Sequence, residues 1–204
     1  MIYIYGDSHA SFSFNNLTLQ HMNLHCSSIT MHRIGRDNII IHFDKNTIQP
    51  NDTIVLSYGE VDCRCHIQRQ INLGKHEDDV IYELVNQYIT TIYQNTKDLN
   101  LHIIIVGVIP PTKQSDYESI HGPILHEFPF VGTDEDRVRY TRKVNELLEQ
   151  LSIQYGYLYF NPYDYYTRSD GTLKHELSDT IVHLQDNQYF LNQFIEFYQK
   201  KIIA

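Results

Sequence analysis

Apolar residues along the chain fall into short continuous runs and into longer segments with helical spacing. The short runs are rich in β-branched and aromatic residues, which favour strands. The run LHIIIVGVIPP ends at two prolines, as expected for a strand that is buried on both faces of a parallel sheet. The predicted strands are residues 1–5, 38–43, 52–58, 101–109 and 157–160, with a weaker candidate at residues 24–30.

Three longer segments, residues 78–98, 133–156 and 186–202, carry apolar side chains at helical spacing. The second segment opens with Thr133, a residue type that caps helices, followed by acidic residues that favour a helix start. Strands that alternate with helices predict a doubly wound parallel sheet. Because no repeat or flexible linker interrupts this order, we interpret residues 1–204 as a single domain.

Two segments that follow predicted strands are longer than a compact fold requires. They are residues 113–132 and residues 160–184, and both contain many polar side chains. In open parallel sheets, ligand sites form outside the carboxyl ends of the strands. The polar stretches that follow four of the strands are therefore expected to meet at one edge of the sheet.

Composition and charge narrow the classes of function. The chain has 204 residues, of which 42% are hydrophobic and 20% charged, as in an ordinary globular protein. The formal net charge of -9 argues against a nucleic-acid partner, because phosphate binding needs a positive surface. We predict neither a signal peptide nor a membrane-spanning segment. With three cysteines, an odd number, the expected setting is reducing and cytoplasmic, and the oligomeric state stays open.

The stretch GDSH, directly after the first predicted strand, contains Ser8 as a candidate nucleophile. A serine hydroxyl attacks poorly unless a base takes its proton and a third group orients that base. His183 is a candidate base, and Asp179, four residues before it, is close enough to form a hydrogen bond with it. The alternative is that GDS forms a simple turn and that His183 lies on the surface.

A GDS block after the first strand, together with a late Asp/His pair before the final helix, resembles the SGNH hydrolases, also called GDSL-like esterases and acyltransferases. The resemblance implies a flavodoxin-like fold, a three-layer α/β/α sandwich around a parallel sheet. It also implies that Ser8 is the nucleophile, His183 the base and Asp179 the orienting residue, with no metal or organic cofactor. The G-x-S-x-G elbow of the α/β-hydrolases is absent from the sequence.

The resemblance is incomplete at the residues that stabilise an oxyanion. In this family the donors are the backbone N–H of the nucleophile, a glycine N–H after the second strand and an asparagine after the third. Gly35 matches the glycine, with an ordinary turn glycine as the alternative. In the stretch GEVDCR, Gly59, Glu60 and Asp62 align with the third block, but Val61 stands in place of the asparagine. Gly35, Gly59 and Glu60 are thus predicted to belong to the oxyanion and substrate-binding region.

Arg64 is our candidate for the missing donor, because its guanidinium has a permanent charge and can present two N–H groups. The alternative is that Arg64 pairs with Glu60 or Asp62 and only braces the loop, and we expect these two acids to orient the loop. His9 and His66 are predicted to line the pocket. The stretch GEVDCR resembles a subgroup found beside carbohydrate-processing proteins, which favours a carbohydrate substrate.

Two further groups of residues carry weaker hypotheses. The C-x-C-H run at residues 63–66 contains zinc-binding side chains, but its spacing is too tight to complete a tetrahedral site, and Cys26 is the only other cysteine. We therefore predict a structural role for this run and no metal. His121 and His126, in the long segment after residues 101–109, are candidates for substrate contact, with a solvated loop as the alternative.

These observations lead to two hypotheses from different classes. The first is a serine-dependent ester hydrolase or acyl transferase that forms an acyl-enzyme on Ser8, with an O-acylated carbohydrate as the preferred substrate. The second is a catalytically silent binding module for a glycan or a protein. Two departures favour the second: Val61 donates nothing, and Thr180 occupies the usual place of the acid in the family pattern D-x-x-H, so that Asp179 lies one residue further from His183. The retained serine, histidine and acid favour the enzyme.

Overall fold

The computed structural model describes residues 1–26, 29–38, 47–124 and 128–203. In these ranges one sheet contains the strands β1 (Ile2–Gly6), β2 (His21–His25), β3 (Thr53–Ser57), β4 (His102–Val106) and β5 (Leu158–Phe160). Every neighbouring pair is parallel. The spatial order is β2-β1-β3-β4-β5, which is the order of flavodoxin-like folds and places the first strand inside the sheet.

Helices connect or follow the strands in the described part of the chain. They are α1 (Ser8–Ser13), α2 (Met31–Asp37), α3 (Ile67–Asn72), α4 (Glu77–Thr96), α5 (Gln114–His121), α6 (Asp134–Gln154), α7 (Tyr163–Tyr166) and α8 (Gln188–Tyr198). A π-helical turn, Asp62–His66, leads into α3, and a second one, Gln199–Ile203, follows α8. None of these helices has the length and the apolar character needed to cross a lipid bilayer.

Two hydrophobic cores, one on each face of the sheet, explain this architecture. Every residue of β1 is buried, and successive side chains point to opposite faces. Tyr3 and Tyr5 belong to the core formed with α4 and α6, whereas Ile2 and Ile4 belong to the core formed with α8. A strand that is covered on both faces needs apolar side chains at every position, so its sequence shows no alternation. The predicted three-layer α/β/α sandwich with a parallel sheet is confirmed.

The parallel register brings the carboxyl ends of the central strands together. Gly6, the last residue of β1, pairs with His25 of β2 on one side and with Ser57 of β3 on the other. The segments that leave these three strands therefore start at the same edge of the sheet. GDSH leaves β1 and GEVDCR leaves β3, so the fold makes neighbours of two stretches that lie far apart in the sequence.

The three predicted helices are confirmed as α4, α6 and α8, and four of the predicted strands correspond to β1, β3, β4 and β5. Thr133 is the N-cap of α6. Its hydroxyl accepts a hydrogen bond from the N–H of Asp136 at 3.1 Å, and the carboxylate of Asp136 accepts one from the N–H of Thr133 at 3.0 Å. The segment at residues 113–132 is partly helical, because α5 lies within it.

Two strand predictions differ from the structure. The weak candidate at residues 24–30 is displaced, because the strand is β2, which ends at His25. This edge strand is half exposed and mostly polar, so a search for apolar runs finds it poorly. The first residue of the predicted strand 38–43 is Asn38, which instead forms the left-handed C-cap of α2 with a φ of 46°. Residues 39–43 lie outside the described residues.

Gly35 lies inside α2 and not in a loop after a strand, which corrects its assignment to the oxyanion region. A β-carbon at this position would lie 2.8 Å from Cβ of Gln87 and 3.1 Å from the carbonyl carbon of Gln87, which is part of α4. Glycine therefore permits the close packing of the α2 and α4 backbones. The N–H of a residue within a helix points to the preceding turn of that helix, not to a ligand.

Gly35→Ala is expected to lower the free energy of unfolding by about 1–3 kcal/mol, because the added methyl group overpacks the contact between α2 and α4. Thermal or denaturant unfolding measures the change. The matched control is Glu83→Ala, on the exposed side of α4, which is expected to change the stability by less than about 0.5 kcal/mol. A stability of Gly35→Ala equal to or above that of the wild type would contradict the close contact.

Candidate active site

Ser8 is positioned by the turn that joins β1 to α1. Asp7 is the N-cap of α1, and its carboxylate accepts a hydrogen bond from the backbone N–H of His9 at 2.9 Å. Ser8 is thus the first residue of the helix, and its own N–H has no acceptor within that helix. Ser8 is partly exposed, whereas Asp7 and His9 are buried.

Asp179 and His183 lie in the loop before α8, and hydrogen bonds within this loop fix their relative position. Oδ1 of Asp179 accepts hydrogen bonds from the backbone N–H groups of Ile181 at 2.8 Å and of His183 at 3.0 Å. Oδ2 of Asp179 lies 2.7 Å from Nδ1 of the His183 ring. When Nδ1 carries the proton, its N–H donates a hydrogen bond to the carboxylate. Nε2 then keeps a lone pair and can accept a hydrogen bond or a proton.

The structure brings Ser8 and His183 together. The Oγ atom of Ser8 lies 2.9 Å from Nε2 of His183, which is a hydrogen-bond distance for a hydroxyl that donates to an imidazole. The two residues are 175 positions apart in the sequence, so only the fold creates this contact. Together with Asp179 they form a continuous chain of two hydrogen bonds, with the geometry of a Ser-His-Asp triad.

The backbone conformation of Thr180 accommodates the third residue between Asp179 and His183, where the family pattern D-x-x-H has two. Its φ of 67° lies in the left-handed region, which is strained for a β-branched residue. The N–H of Thr180 donates to Oγ of Ser178 at 3.1 Å. Nε2 of His121 lies 3.1 Å from both the carbonyl oxygen and the hydroxyl of Thr180. This turn lets the acid reach the imidazole despite the longer spacing, and it gives His121 a contact within the loop.

Asp179 is held in its ionised form. Burial by itself would raise the pKa of this carboxyl, but the hydrogen bonds from the His183 ring and from the N–H groups of His183 and Ile181 outweigh burial and lower the pKa. An ionised carboxylate stabilises a positive charge on the imidazole that it contacts. Asp179 can therefore both orient His183 and support the imidazolium that forms when His183 accepts a proton.

The imidazole of His183 contacts two other rings. Phe12 stacks on it, with ring centroids 4.2 Å apart and planes inclined by 7°. His9 lies against it, with centroids 4.6 Å apart and planes inclined by 48°. Phe12 was not predicted as a site residue. Its position four residues after Ser8 in α1 is the signal that could have found it, because residues at this spacing share a helix face.

His9, Glu60 and Arg64 form a buried chain of polar contacts beside the triad. Nε2 of His9 lies 3.1 Å from Oε2 of Glu60. Nε of Arg64 donates to Oε1 of Glu60 at 2.7 Å, and Nη2 of Arg64 donates to Oε2 at 3.1 Å. Burial would raise the pKa of Glu60, but Arg64 and His9 hold it well below its ordinary value. Glu60 is therefore ionised and tethers His9 to the segment that follows β3.

Arg64 has the bracing role that was the alternative, which corrects its prediction as an oxyanion donor. Its relative exposure is only 6%, and its remaining nitrogen, Nη1, donates to the carbonyl oxygen of Phe128. The guanidinium also lies 5.9 Å from the ring centroid of Phe130. All three nitrogens of Arg64 thus have acceptors within the protein. The physical reason is the i, i+4 spacing, which places Glu60 one helical turn from Arg64.

Gly59 has a backbone role in the turn after β3, and its predicted role in substrate binding stays a prediction. Its φ is 125°, and a β-carbon here would approach the side chains of Val108 and Met31 to 2.7 and 2.8 Å. Only glycine fits such a turn. The carbonyl oxygen of Gly59 accepts a hydrogen bond from the N–H of Cys63 at 3.0 Å, so this turn starts the helical segment that carries Glu60.

Asp62 and His66 contact the start of α2. The carboxylate of Asp62 accepts hydrogen bonds from the backbone N–H groups of Met31 at 2.9 Å and of His32 at 3.3 Å, and it lies 2.9 Å from Nδ1 of His66. Asp62 thus orients the loop, as expected. His66 lines a cleft of about 420 Å³ beside α2, and no member of the triad lines this cleft. The prediction that His66 lines the substrate pocket stays a prediction.

The cysteines of the C-x-C-H run are buried thiols. Burial raises the pKa of both Cys63 and Cys65, and a protonated thiol is a poor zinc ligand. Within the described ranges, no group of three or more metal-binding side chains comes together. The absence of a metal stays a prediction. His126, the other candidate for substrate contact, lies outside the described residues.

Solved structures resemble this chain over nearly its whole length. A GDSL-like lipase from Bacteroides thetaiotaomicron gives a TM-score of 0.63 at 12% identity, over 98% of this chain and 87% of its own. A protein described as an acylhydrolase, from Bacteroides fragilis, gives 0.61 at 13% identity, over 100% and 88%. Phospholipase A1 from Streptomyces albidoflavus gives 0.53 at 12% identity, over 96% and 98%. No protein-family model matches the sequence, and no curated protein is a significant match.

The chain therefore has the fold of the GDSL-like, SGNH-type hydrolases. At identities of 12% and 13% the likeness concerns the fold alone, so the argument for function has to rest on the geometry of the site. The subgroup suggested by GEVDCR stays a prediction.

The lowered pKa of Asp179 has a consequence for stability in acid. Because the folded protein binds this proton less readily than the unfolded chain does, Asp179 contributes stability above the pKa of an unfolded aspartate, about 3.9. That contribution is lost as the pH falls through the lower pKa of the folded state. The melting temperature between pH 6 and pH 3 is therefore expected to fall less steeply for Asp179→Asn than for the wild type.

The matched control for this measurement is Asp98→Asn, which changes an exposed residue and is expected to follow the wild-type slope. Parallel curves for Asp179→Asn and the wild type would contradict the lowered pKa.

Proposed function

We propose that this protein is a serine-dependent ester hydrolase or acyl transferase that forms an acyl-enzyme on Ser8. The observation that carries the proposal is the Ser8–His183 contact of 2.9 Å, in series with the His183–Asp179 contact of 2.7 Å. The fold shared with a GDSL-like lipase and with a phospholipase A1 supports the same chemistry.

In the first half of the proposed reaction, Oγ of Ser8 attacks the carbonyl carbon of an ester while its proton passes to Nε2 of His183. One electron pair of the carbonyl bond moves onto the oxygen, which becomes an oxyanion. When the oxyanion collapses, the bond to the alcohol breaks and the alcohol leaves with the proton from His183. Asp179 stabilises the imidazolium between these two proton transfers.

In the second half, a water molecule or a sugar hydroxyl attacks the acyl group on Ser8 and gives its proton to His183. The new bond forms at the acyl carbon, the bond to Ser8 breaks, and the serine oxygen takes the proton back from His183. Attack by water gives hydrolysis, and attack by a sugar hydroxyl gives transfer. The same three residues serve both outcomes.

For the oxyanion we propose the backbone N–H of Ser8 as a donor, because it has no acceptor within α1. The other two predicted donors have different contacts: Gly35 lies within α2, and the nitrogens of Arg64 bind Glu60 and Phe128. One oxyanion donor typically contributes about a hundred- to a thousandfold in kcat. We therefore expect this protein to be a slower enzyme than relatives that keep the asparagine.

As substrate we propose an O-acylated carbohydrate. The resemblance of GEVDCR to a subgroup found beside carbohydrate-processing proteins supports this choice. Exposed apolar side chains adjoin the triad, since Phe12 is 38% exposed and Ile181, within the catalytic loop, is 41% exposed. Such side chains can pack on the apolar face of a sugar ring or on an acyl group. The negative net charge favours a neutral or cationic substrate over a nucleic acid.

A fluorophosphonate probe, which reacts with activated serines, tests the proposed nucleophile directly. The wild-type protein is expected to be labelled, and Ser8→Ala is expected to lose labelling because the attacking oxygen is gone. Ser115→Ala, which changes an exposed serine of α5, is the matched control and is expected to be labelled like the wild type.

Failure of the folded wild-type protein to react with the probe and to hydrolyse aryl acetates would overturn the enzyme proposal. That result would favour the binding module, for which the valine at position 61 is the supporting observation.

Val61→Asn tests the proposed shortage of oxyanion donors. Restoring the amide is expected to raise kcat for an aryl acetate about tenfold or more with little change in KM, because such a donor acts on the transition state. Val61→Leu keeps an apolar side chain and is the matched control, for which no rise is expected. If kcat of Val61→Asn does not exceed that of Val61→Leu, position 61 does not supply an oxyanion donor.

A further inference from the structure

A chain of polar contacts connects two unusual features of the sequence. One is His9, which follows the proposed nucleophile in GDSH, and the other is the pair Glu60 and Arg64 in GEVDCR. Arg64 binds Glu60, Glu60 binds His9, and the ring of His9 lies 4.6 Å from the ring of His183. We propose that His9 is a positioning residue for His183: it fixes the tilt of the imidazole and keeps a positive charge beside it. This inference rests on the proposed role of His183 as the base.

Hydrogen-bond contacts and burial restrict the movement of the His9 ring. Its backbone N–H donates to Asp7 at 2.9 Å, its Nε2 lies 3.1 Å from Glu60, and its relative exposure is 6%. Phe12 also stacks on the His183 ring. The two rings therefore restrict rotation of the imidazole out of line with Ser8, which preserves the hydrogen bond to Oγ.

The second ring nitrogen of His9 has a different environment. Nδ1 is buried and has no hydrogen-bond partner among the described residues. His9 lines a small cavity of about 10 Å³ together with Asp7, Tyr58 and apolar residues such as Val106 and Phe190. This volume is close to the minimum for one water molecule.

The electrostatic environment of His9 favours the protonated form. Titratable groups face it from three segments. They are Asp7 on its own turn, Tyr58, Glu60 and Arg64 on the segment after β3, and His183 on the loop before α8. Burial would lower the pKa of His9, but Glu60 and Asp7 outweigh burial and raise it. A positive charge so close to His183 disfavours a second one.

His9→Phe tests this role, because it leaves a ring beside His183 but removes the charge and the contact with Glu60. Glu60 keeps its bonds to Arg64, so no buried charge is left without a partner. With an aryl acetate, kcat is expected to fall about tenfold with KM within about twofold of the wild type. The acidic limb of the pH profile of kcat/KM is expected to move upward by about one pH unit.

The matched control is His102→Phe, at the amino end of β4 and thus at the opposite edge of the sheet, which is expected to reproduce the wild-type profile. An acidic limb of His9→Phe that coincides with that of the wild type would overturn the proposal, because a merely structural role reduces the amount of folded enzyme without moving the limb.

If His9→Phe does not fold, an NMR titration of the histidine rings in the wild-type protein decides the question. His9 is expected to hold its proton above pH 6.5, about where an unperturbed histidine releases it, and release below that pH would overturn the proposal. Failure of the proposed function gives a different result. In that case the wild type is not labelled by the fluorophosphonate, whatever the titration of His9 shows.

Discussion

One hydrogen bond, between Ser8 and His183, joins the first helical turn of the chain to its last long loop, and the proposed chemistry depends on it. The strand order makes this contact possible. Because β1 lies inside the sheet, the loops that leave neighbouring strands surround its carboxyl end on both sides. A nucleophile after an edge strand would have such neighbours on one side only. The segment after β3 therefore starts beside Ser8. His183 comes from a loop after β5, at the far edge of the sheet, and α8, which follows this loop, packs in the same core as Ile2 and Ile4 of β1.

The loop before α8 shows how a local departure from the family pattern can preserve a geometry. One extra residue separates the acid from the histidine, and the left-handed conformation of Thr180 takes it up. Strain of this kind persists only where the surroundings enforce it. Here Ser178 and His121 bind Thr180 on two sides, and the backbone of the loop binds Asp179. The strained backbone of Thr180 thus places the carboxylate of Asp179 in contact with His183.

The departures around the third block are coupled to one another. A valine replaces the asparagine, and the arginine that could have replaced its amide is bound to Glu60. Buried charges are stable only when they are paired, and Arg64 provides that pairing for an acid that would otherwise be costly to bury. Through Glu60 the arginine acts on His9 and, by our inference, on His183. By this inference the charged pair of this block supports the proposed base.

Local sequence patterns were sufficient for much of the fold. Apolar runs, helical periodicity and the cap at Thr133 are local signals, and they identified four strands, three helices and the doubly wound parallel sheet correctly. The three-layer class followed from the family resemblance. The edge strand β2 was placed less well, because one partner and partial exposure leave little pattern to detect. Gly35 and Arg64 were misassigned for a related reason. The packing around a glycine decides whether it forms a turn or permits a contact between helices. The packing around an arginine decides whether its side chain extends outward or pairs with residue i-4.

The sequence by itself determined the alternation of strands and helices and supplied a serine, a histidine and an acid with the right chemistry. The tertiary structure decided that these three side chains meet, that Phe12 and His9 contact the imidazole, and that Arg64 is bound to Glu60. The physical reason is that strand order and side-chain packing set the distances between residues far apart in the chain, and no local pattern records them.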